Sequence, residues 1–249
     1  MNEPCAVWAM TMVNTDLGYL LHSRPFRDSS VICDFLLQQH GRVSVLYKGV
    51  RKAGKQGAKG RLLQPFSQLS VSFDGRNELK AGRVLESAGA PTFLVGYQLY
   101  SGLYLNELMV RLLHKEEPVP TLFDQYQRAI QDLLGGRLEM VLRRFERELL
   151  SELGYELTLQ WDTSGDPVSA TSIYLYQPDQ GFSLIHQLPR DSALHQRCFS
   201  GQHLLAIQRH EYDDQAVASA AKKLSRLALA PHLGDKPLRS RELFKQFAQ

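Results

Sequence analysis

The spacing of apolar residues changes once along this chain, and that change constrains the fold more than any other feature of the sequence. From Leu17 to about Glu86, apolar residues alternate with more polar ones, a pattern typical of strands. Residues 31–37, 43–47 and 69–73 are the clearest examples. About five short strands with little helical pattern between them must close on themselves to hide their edges, so we predict a small Greek-key barrel.

After Pro91 the apolar residues recur three and four positions apart, which indicates helices. The pattern predicts helices over residues 97–114, 122–134, 138–153, 201–207, 215–230 and 237–247, and a strand hairpin over residues 172–185. Pro231 and Gly234 are expected to end the helix that starts at residue 215. The sequence therefore predicts an α+β chain of four segments: a barrel (1–88), a helical bundle (89–157), a strand and hairpin region (158–200), and C-terminal helices that pack on the bundle (201–249).

A basic, glycine-rich segment interrupts the strands. Residues 48–61 contain six basic residues and four glycines, and no acidic residue occurs between Asp34 and Asp74. Because glycine leaves the backbone entropically free, we predict a mobile loop here rather than a helix or a packed strand. The concentrated positive charge favours a polyanion as partner, and the simpler alternative is a solvated loop that only aids solubility.

Charge is also segregated along the chain. Residues 1–90 carry 12 basic and 7 acidic residues, residues 91–170 carry 7 and 12, and residues 171–249 carry 10 and 7. Such segregation suits a protein that contacts nucleic acid with one part and another partner with a different part.

Aromatic residues of the predicted barrel strengthen the nucleic-acid hypothesis. Single strands are bound by basic grooves with aromatic rings on which bases stack, and the barrel strands offer Phe35, Tyr47, Phe66 and Phe73. Some of these rings must fill the barrel core. Tyr47 directly precedes the basic segment and has a polar tip, so it is the predicted stacking residue.

Several other classes of protein are disfavoured. No window approaches the roughly 18 apolar residues of a membrane span, and no leader-like segment is visible, so we predict a cytoplasmic protein. Cys5, Cys33 and Cys198 are far apart, which argues against a disulfide framework and a four-cysteine zinc site. The eight histidines show no metal-ligand spacing, so no metal, cofactor or catalytic site is predicted.

One motif within the basic segment imitates a nucleotide site. Gly49 and Gly54-Lys55 have the spacing of a phosphate-binding loop, but Gln56 takes the position of the Ser or Thr that binds magnesium. Gly57 and Gly60 follow where that motif needs a helix. We therefore expect no nucleotide hydrolysis, and the ATPase hypothesis is retained only to be tested.

Short segments that follow one another along nearly the whole chain are together more specific than any one of them. They are LHSRP (21–25), GRV (41–43) before KG (48–49), LQPF (63–66), YSGLY (100–104) with NEL (106–108), LRRFE (142–146), LGY (153–155) and KPLRSRELF (236–244). In these segments the chain resembles the bacterial RecO family of recombination mediators.

The resemblance implies an N-terminal five-stranded OB-type barrel, a helical middle, and a C-terminal region that in many members holds a four-cysteine zinc site. This chain has no cysteine between Leu159 and Arg197, so we expect no zinc there and a region held by packing around Trp161, Tyr174 and Phe182. The resemblance also implies binding of single- and double-stranded DNA and annealing of strands without nucleotide hydrolysis. It further implies binding of the acidic C-terminal tail of single-stranded DNA-binding protein, and cooperation with RecR in loading RecA.

These implications assign roles to particular residues. The predicted DNA-binding residues are Arg42, Tyr47, Lys48, Arg51, Lys52, Lys55, Lys59 and Arg61 on the barrel, with Lys236, Arg239 and Arg241 near the C terminus. The last three could instead be solvated helix ends. Arg143 and Arg144 are the predicted tail-binding pair, and the alternative is that they only form ion pairs with Glu139 and Glu148 on their own helix. The competing function is a protein-interaction adaptor with only incidental nucleic-acid binding.

Overall fold

The computed structural model describes residues 13–50 and 58–247, without the side chains of residues 58, 59, 245 and 247. The chain divides into two compact units. One contains Met1–Phe93 and His114–Pro120, and the other contains Leu94–Leu113 and Thr121–Gln249. The first unit is built on a barrel and the second is mainly helical with a small sheet, so the predicted α+β class is confirmed.

Five strands close the barrel of the first unit: β1 (Asn14–Phe26), β2 (Ser30–Leu37), β3 (Gly41–Tyr47), β4 (Gln68–Asp74) and β5 (Leu79–Ser87). Their order around the barrel is β1-β2-β3-β5-β4, and only β3 and β5 run parallel. The alternation in the sequence fills the interior, because Phe35, Val45 and Val71 are completely buried. A short helix, α1 (Ala58–Leu62), connects β3 to β4. This five-stranded arrangement is that of an OB-type barrel, as predicted.

Helix α1 corrects one prediction. Residues 48–61 were predicted to contain no helix, yet the chain is helical from Ala58. Leu62 and Leu63 pack against the barrel core, and Val50, which precedes the helix, is 5% exposed. Burial of these apolar side chains offsets the entropic cost of ordering glycine, at least for one short turn.

The strand pairing gives the barrel two distinct ends. Pro25 pairs with Val31, which pairs with Tyr47, so the β1–β2 turn and the end of β3 lie together. We call this the loop end, because residues 48–61 leave the barrel here. At the opposite end, β3 starts at Gly41 with a φ of 64°, and a Cβ there would lie 1.7 Å from the carbonyl oxygen of Glu117. This end, which we call the closed end, is therefore in contact with the segment His114–Pro120.

The second unit contains most of the helices: α2 (Gly96–Leu112), α3 (Pro120–Leu134), α4 (Leu138–Glu152), α5 (Ser192–His195), α6 (Gly201–Gln208), α7 (Gln215–Leu233) and α8 (Arg239–Phe247). Its sheet has the order β7-β6-β8, formed by β6 (Ile173–Gln177), β7 (Gly181–Ile185) and β8 (Cys198–Ser200). No helix of the described residues is both long and apolar enough to cross a membrane.

Three details of the second unit differ from the sequence predictions. Pro231 does not end α7 but lies in its last turn, and the helix ends before Gly234 at a φ of 64°. The short elements α5 and β8 were not predicted. Trp161 is 50% exposed, so the packing of the hairpin region rests instead on Tyr174, Phe182 and Phe199, each at most 3% exposed.

The last helix is held by one carboxylate on α2. The side chain of Glu107 accepts hydrogen bonds from the backbone N–H groups of Arg239 and Ser240 and from the Ser240 hydroxyl, at 2.7 to 3.0 Å. Arg111 donates to the carbonyl oxygens of Lys236 and Pro237. Burial acts to raise the pKa of Glu107, but these hydrogen bonds outweigh it, so the pKa lies below its usual value.

Candidate functional site

The loop end of the barrel carries cations without acidic partners. Arg24, Arg27 and Lys48 are exposed around the β1–β2 turn and the end of β3, and Arg61 is exposed on α1. Within residues 13–50 and 58–247, no carboxylate lies within ion-pair distance of these four side chains. The guanidinium of Arg27 lies 5.3 Å from the centroid of the Phe26 ring, so an aromatic side chain accompanies the charge.

Cations at the closed end are mostly neutralised. The Lys80 ammonium lies 2.7 Å from the Glu116 carboxylate, and the Lys115 ammonium lies 2.6 Å from Glu78. The hydrogen bond and charge of Lys115 hold the pKa of Glu78 below its usual value. Among the described residues, the barrel therefore has an electrostatic polarity, with most of its unpaired positive charge at the loop end and Arg76 of the β4–β5 turn as an exception.

The structure brings together only some of the predicted DNA-binding residues. Lys48 and Arg61 lie at the loop end, whereas Arg51, Lys52 and Lys55 fall outside the described residues and the Lys59 side chain is not described. Arg42 lies at the closed end, five residues before Tyr47, which corresponds to about 17 Å along a strand. It is half-buried, and its burial lowers its pKa against the opposing effects of Asp34 and Glu78. Arg42 is therefore separated from Lys48 and Arg61, the predicted DNA-binding cations at the loop end.

Tyr47 does not offer a face to a nucleotide base. The side chain is 1% exposed, and its ring contacts Gly82 so closely that a Cβ there would lie 2.4 Å from a ring carbon. Phe35 packs edge-on against it, with ring centroids 6.3 Å apart. Burial raises the pKa of the Tyr47 hydroxyl. The prediction that Tyr47 stacks on bases was wrong, and Phe35, Phe66 and Phe73 are equally buried.

Sequence reasoning missed Arg24 and Arg27. Arg24 falls in the LHSRP segment (21–25) that contributed to the family resemblance, but its position beside Lys48 depends on the pairing of β1 with β2. The available signal was the predicted barrel itself, since consecutive antiparallel strands place a hairpin turn and the following strand's end on the same side.

The structure describes only part of the segment that imitates a nucleotide-binding site. Gly54, Lys55 and Gln56 fall outside the described residues. One of the two arguments against this site fails, because a helix does follow the motif. The other argument stands: Gln56 has no hydroxyl with which to bind magnesium.

A second candidate site is a pocket of about 400 Å³ in the helical unit, which we call the Arg143 pocket. Four cationic and several apolar side chains line it: Arg143, Lys222, Arg226 and Arg241, with Tyr97, Leu138, Leu142 and Phe244. Glu139 is the acidic residue among its lining, and its carboxylate is paired with Lys222 at 2.7 Å. The pocket thus combines an excess of positive charge with apolar walls.

Arg143 is the most buried of these cations. Its side chain is 5% exposed, and one guanidinium nitrogen lies 3.0 Å from an oxygen of the fully buried Glu146 carboxylate. The Tyr104 hydroxyl donates to the same oxygen at 2.6 Å, and burial raises the pKa of Tyr104. Within the described part of the chain, Arg143 Nε, Glu146 Oε2 and the buried hydroxyl of Ser101 have no hydrogen-bond partner. Arg143 and Ser101 line the pocket, so these two buried polar atoms lie behind its wall.

The structure separates the two arginines predicted to bind an acidic tail. Arg143 lines the pocket, whereas Arg144 is paired with Asp132 at 3.0 Å and does not line it. Arg241, predicted to contact DNA, lines this pocket with its guanidinium 5.6 Å from the centroid of the Tyr104 ring. Lys236 and Arg239 are exposed outside it. In the described residues, no group of three or more His, Cys, Asp or Glu side chains could hold a metal ion.

Comparison with known proteins assigns the chain to a family. The family described as "Recombination protein O N terminal" matches residues 10–89, and "Recombination protein O C terminal" matches residues 96–242. The chain belongs to the RecO family. RecO relatives named "DNA repair protein RecO" occur in Pseudomonas paraeruginosa, at 42% identity over 94% of this chain and 96% of that protein. In Pseudomonas putida the identity is 44%, covering 92% and 96%, and in Sodalis glossinidius it is 42%, covering 92% and 86%.

Proposed function

We propose that this protein is a DNA repair and recombination mediator. It binds single- and double-stranded DNA at the loop end of its barrel and anneals complementary strands without nucleotide hydrolysis. With RecR, it assists the loading of RecA on strands coated with single-stranded DNA-binding protein, in the cytoplasm at the nucleoid. The observation that carries the proposal is the set of unpaired cations at the loop end of an OB-type barrel in a RecO-family chain.

Annealing needs positive charge more than it needs a catalytic group. Two single strands repel each other through their phosphates, and a protein that neutralises both backbones releases their counterions and lowers that barrier. Arg24, Lys48 and Arg61 supply unpaired charge at the loop end. The basic residues between Lys48 and Arg61 would add to it. Such contacts are independent of sequence, as an annealing protein requires.

The Arg143 pocket supports the second part of the proposal, binding of an acidic protein tail. A peptide that ends in a carboxylate beside an apolar side chain needs a guanidinium next to an apolar wall. Arg143, Arg226 and Arg241 offer the first, and Leu142 and Phe244 offer the second. We propose that the C-terminal tail of single-stranded DNA-binding protein occupies this pocket.

The direct test of the annealing function uses complementary strands coated with single-stranded DNA-binding protein, without ATP. Replacing Arg24, Lys48 and Arg61 together by Gln should slow annealing by at least about tenfold, because three phosphate contacts are lost. Replacing Arg76, Lys115 and Arg128 removes as many cations from outside the loop end and should leave the rate unchanged. Equal rates for the two triple variants would place the DNA site elsewhere.

The test of the tail pocket is titration with a synthetic peptide of the acidic C-terminal tail. Arg226 is exposed at the pocket and makes no ion pair with a described carboxylate, so it can be changed without disturbing the buried Arg143 pair. Arg226→Gln should weaken peptide binding by about tenfold, the effect of losing one charged contact. Arg128→Gln, an exposed change on α3, is the matched control. If the peptide affinity of Arg226→Gln is unaltered, the tail does not bind in this pocket.

A further inference from the structure

A second pocket of the helical unit, of about 430 Å³, has no role in the proposed function. It lies where α4 and α7 end, since Leu150 and Gly154 line it together with Ala228 and His232. The β6–β7 turn completes it through Pro178 and Asp179, and the segment before β6 completes it through Trp161 and Asp162. We call it the Trp161 pocket.

Two large aromatic side chains in its lining are open to solvent. Trp161 is 50% exposed and Tyr155 is 45% exposed, although both lie beside buried side chains such as Phe182. The Tyr155 ring packs against the His232 imidazole, with centroids 3.9 Å apart and ring planes tilted by 32°. Exposed aromatic faces in a concave site are typical of ligand recognition, and their negative π-face attracts cations.

The charged residues of this pocket have one sign. Its lining contains three carboxylates, of Glu156, Asp162 and Asp179, and no lysine or arginine. No cation of the described ranges lies within ion-pair distance of these carboxylates. Asp179 lies close enough to Tyr176 that its charge adds to burial in raising the pKa of that hydroxyl.

Helix dipoles add to this negative potential. The last turns of α4 and α7 both line the pocket, and the C-terminal end of a helix carries a partial negative charge. A phosphate backbone or an acidic peptide would therefore be repelled here. A cation would be attracted by the carboxylates, the helix ends and the aromatic faces together.

We propose that the Trp161 pocket binds an arginine or lysine side chain from a basic segment of a protein partner. The aliphatic part of such a side chain packs against Trp161 and Tyr155, and its charged end reaches the carboxylates of Asp162 and Asp179. The inference is independent of the proposed DNA and tail sites, because none of their residues lines this pocket.

Trp161 provides its own readout, since the chain has only two tryptophans and Trp8→Phe leaves Trp161 as the single one. The probe is the peptide acetyl-Gly-Ser-Arg-Ser-Gly-amide, compared with the same peptide carrying neutral citrulline. The arginine peptide should change the Trp161 fluorescence saturably, and the citrulline peptide should bind at least about fivefold more weakly, given the strength of cation–π and ion-pair contacts. The indole N–H resonances of the unaltered protein, followed in the same titration, give a second readout.

Isosteric variants test the carboxylates. Replacing Asp162 and Asp179 together by Asn should weaken binding of the arginine peptide about fivefold, since two ion pairs are lost. Asn keeps the turn geometry of Asp162 and tolerates the positive φ of Asp179, so the fold should not change. Asp213→Asn, an exposed change outside the pocket, should have no effect. Equal binding of arginine and citrulline peptides, insensitivity to the double variant, or tighter binding of decathymidine at Trp161 would each overturn the proposal.

Discussion

Arg143 and Glu146 show how one residue can serve both the fold and a site. They form a nearly dehydrated ion pair whose hydrogen bonding is incomplete. Such a pair contributes little net stability, but removing one partner leaves the other charge buried and uncompensated. The sequence offered a choice between intrahelical pairing and ligand binding for Arg143. The structure shows that it pairs on its own helix, with Glu146 at 3.0 Å and with the predicted partner Glu139 at 3.9 Å, while also lining a pocket.

Breaking this pair should therefore be costly. Arg143→Met is expected to lower the free energy of unfolding by about 3 to 5 kcal/mol, measured by urea denaturation. Adding Glu146→Gln should recover a large part of that loss, because the amide needs no counter-charge and still accepts the hydrogen bond of Tyr104. If the effects of the two substitutions on the free energy of unfolding simply added, the two residues would not form a buried ion pair.

Tyr47 illustrates what the sequence could and could not determine at a single residue. Val43, Val45 and Tyr47 alternate along β3, so the pattern that predicted the strand also placed Tyr47 on the core face with the two valines. Its polar tip suggested exposure, but the hydroxyl is buried without a described partner. The position of Arg24 beside Lys48, in contrast, depends on the pairing between strands, which local spacing does not reveal.

Tyr47→Phe tests this correction. The change removes a buried hydroxyl without a hydrogen-bond partner and keeps the ring, so the free energy of unfolding should stay equal or rise by about 1 kcal/mol. Affinity for single-stranded DNA should not change. A loss of affinity beyond about threefold would instead mean that the Tyr47 hydroxyl reaches the DNA, because the hydroxyl is the only group that the change removes.

At the scale of elements, long amphipathic helices and alternating strands were predictable, and short elements were not. Helix α4 repeats its apolar residues over four turns, whereas α1, α5 and β8 have three to five residues each and no repeat to detect. The docking of α8 depends on Glu107 of α2, more than 130 residues earlier in the chain. No spacing in the sequence indicates such a contact.

The stability that Glu107 contributes should depend on pH. Its pKa is lower in the folded protein than its ordinary value of 4.5, so the folded state binds fewer protons than the unfolded state in this range. The contribution is complete above the unfolded pKa and is lost as the pH falls through the folded pKa. Urea denaturation should therefore show Glu107→Gln less stable than the unaltered protein at pH 7, by about 1 to 3 kcal/mol for a charged hydrogen-bond acceptor. The difference should shrink below pH 4. A constant difference across this range would mean that the carboxylate charge does not matter.

At the scale of the whole molecule, only part of the charge distribution could be predicted from the sequence. Residues 1–90 have an excess of basic residues, and the structure leaves unpaired cations at one end of the barrel. Residues 91–170 have an excess of acidic residues, yet the Arg143 pocket of that region is cationic. The reason is that Lys222, Arg226 and Arg241 reach it from the C-terminal segment, and local composition cannot show such a convergence.

The central claim is that the loop end of the barrel is the DNA-binding surface, and the salt dependence of binding to single-stranded DNA tests it most directly. If four to six phosphates are neutralised, the logarithm of the binding constant should fall with the logarithm of salt concentration at a slope of roughly −3 to −4, about 0.7 per contact. The triple variant of Arg24, Lys48 and Arg61 should reduce this slope by about 2, while the control variant of Arg76, Lys115 and Arg128 leaves it unchanged. A slope that is the same in both variants would contradict the assignment. A flat response of the unaltered protein would favour the adaptor hypothesis instead.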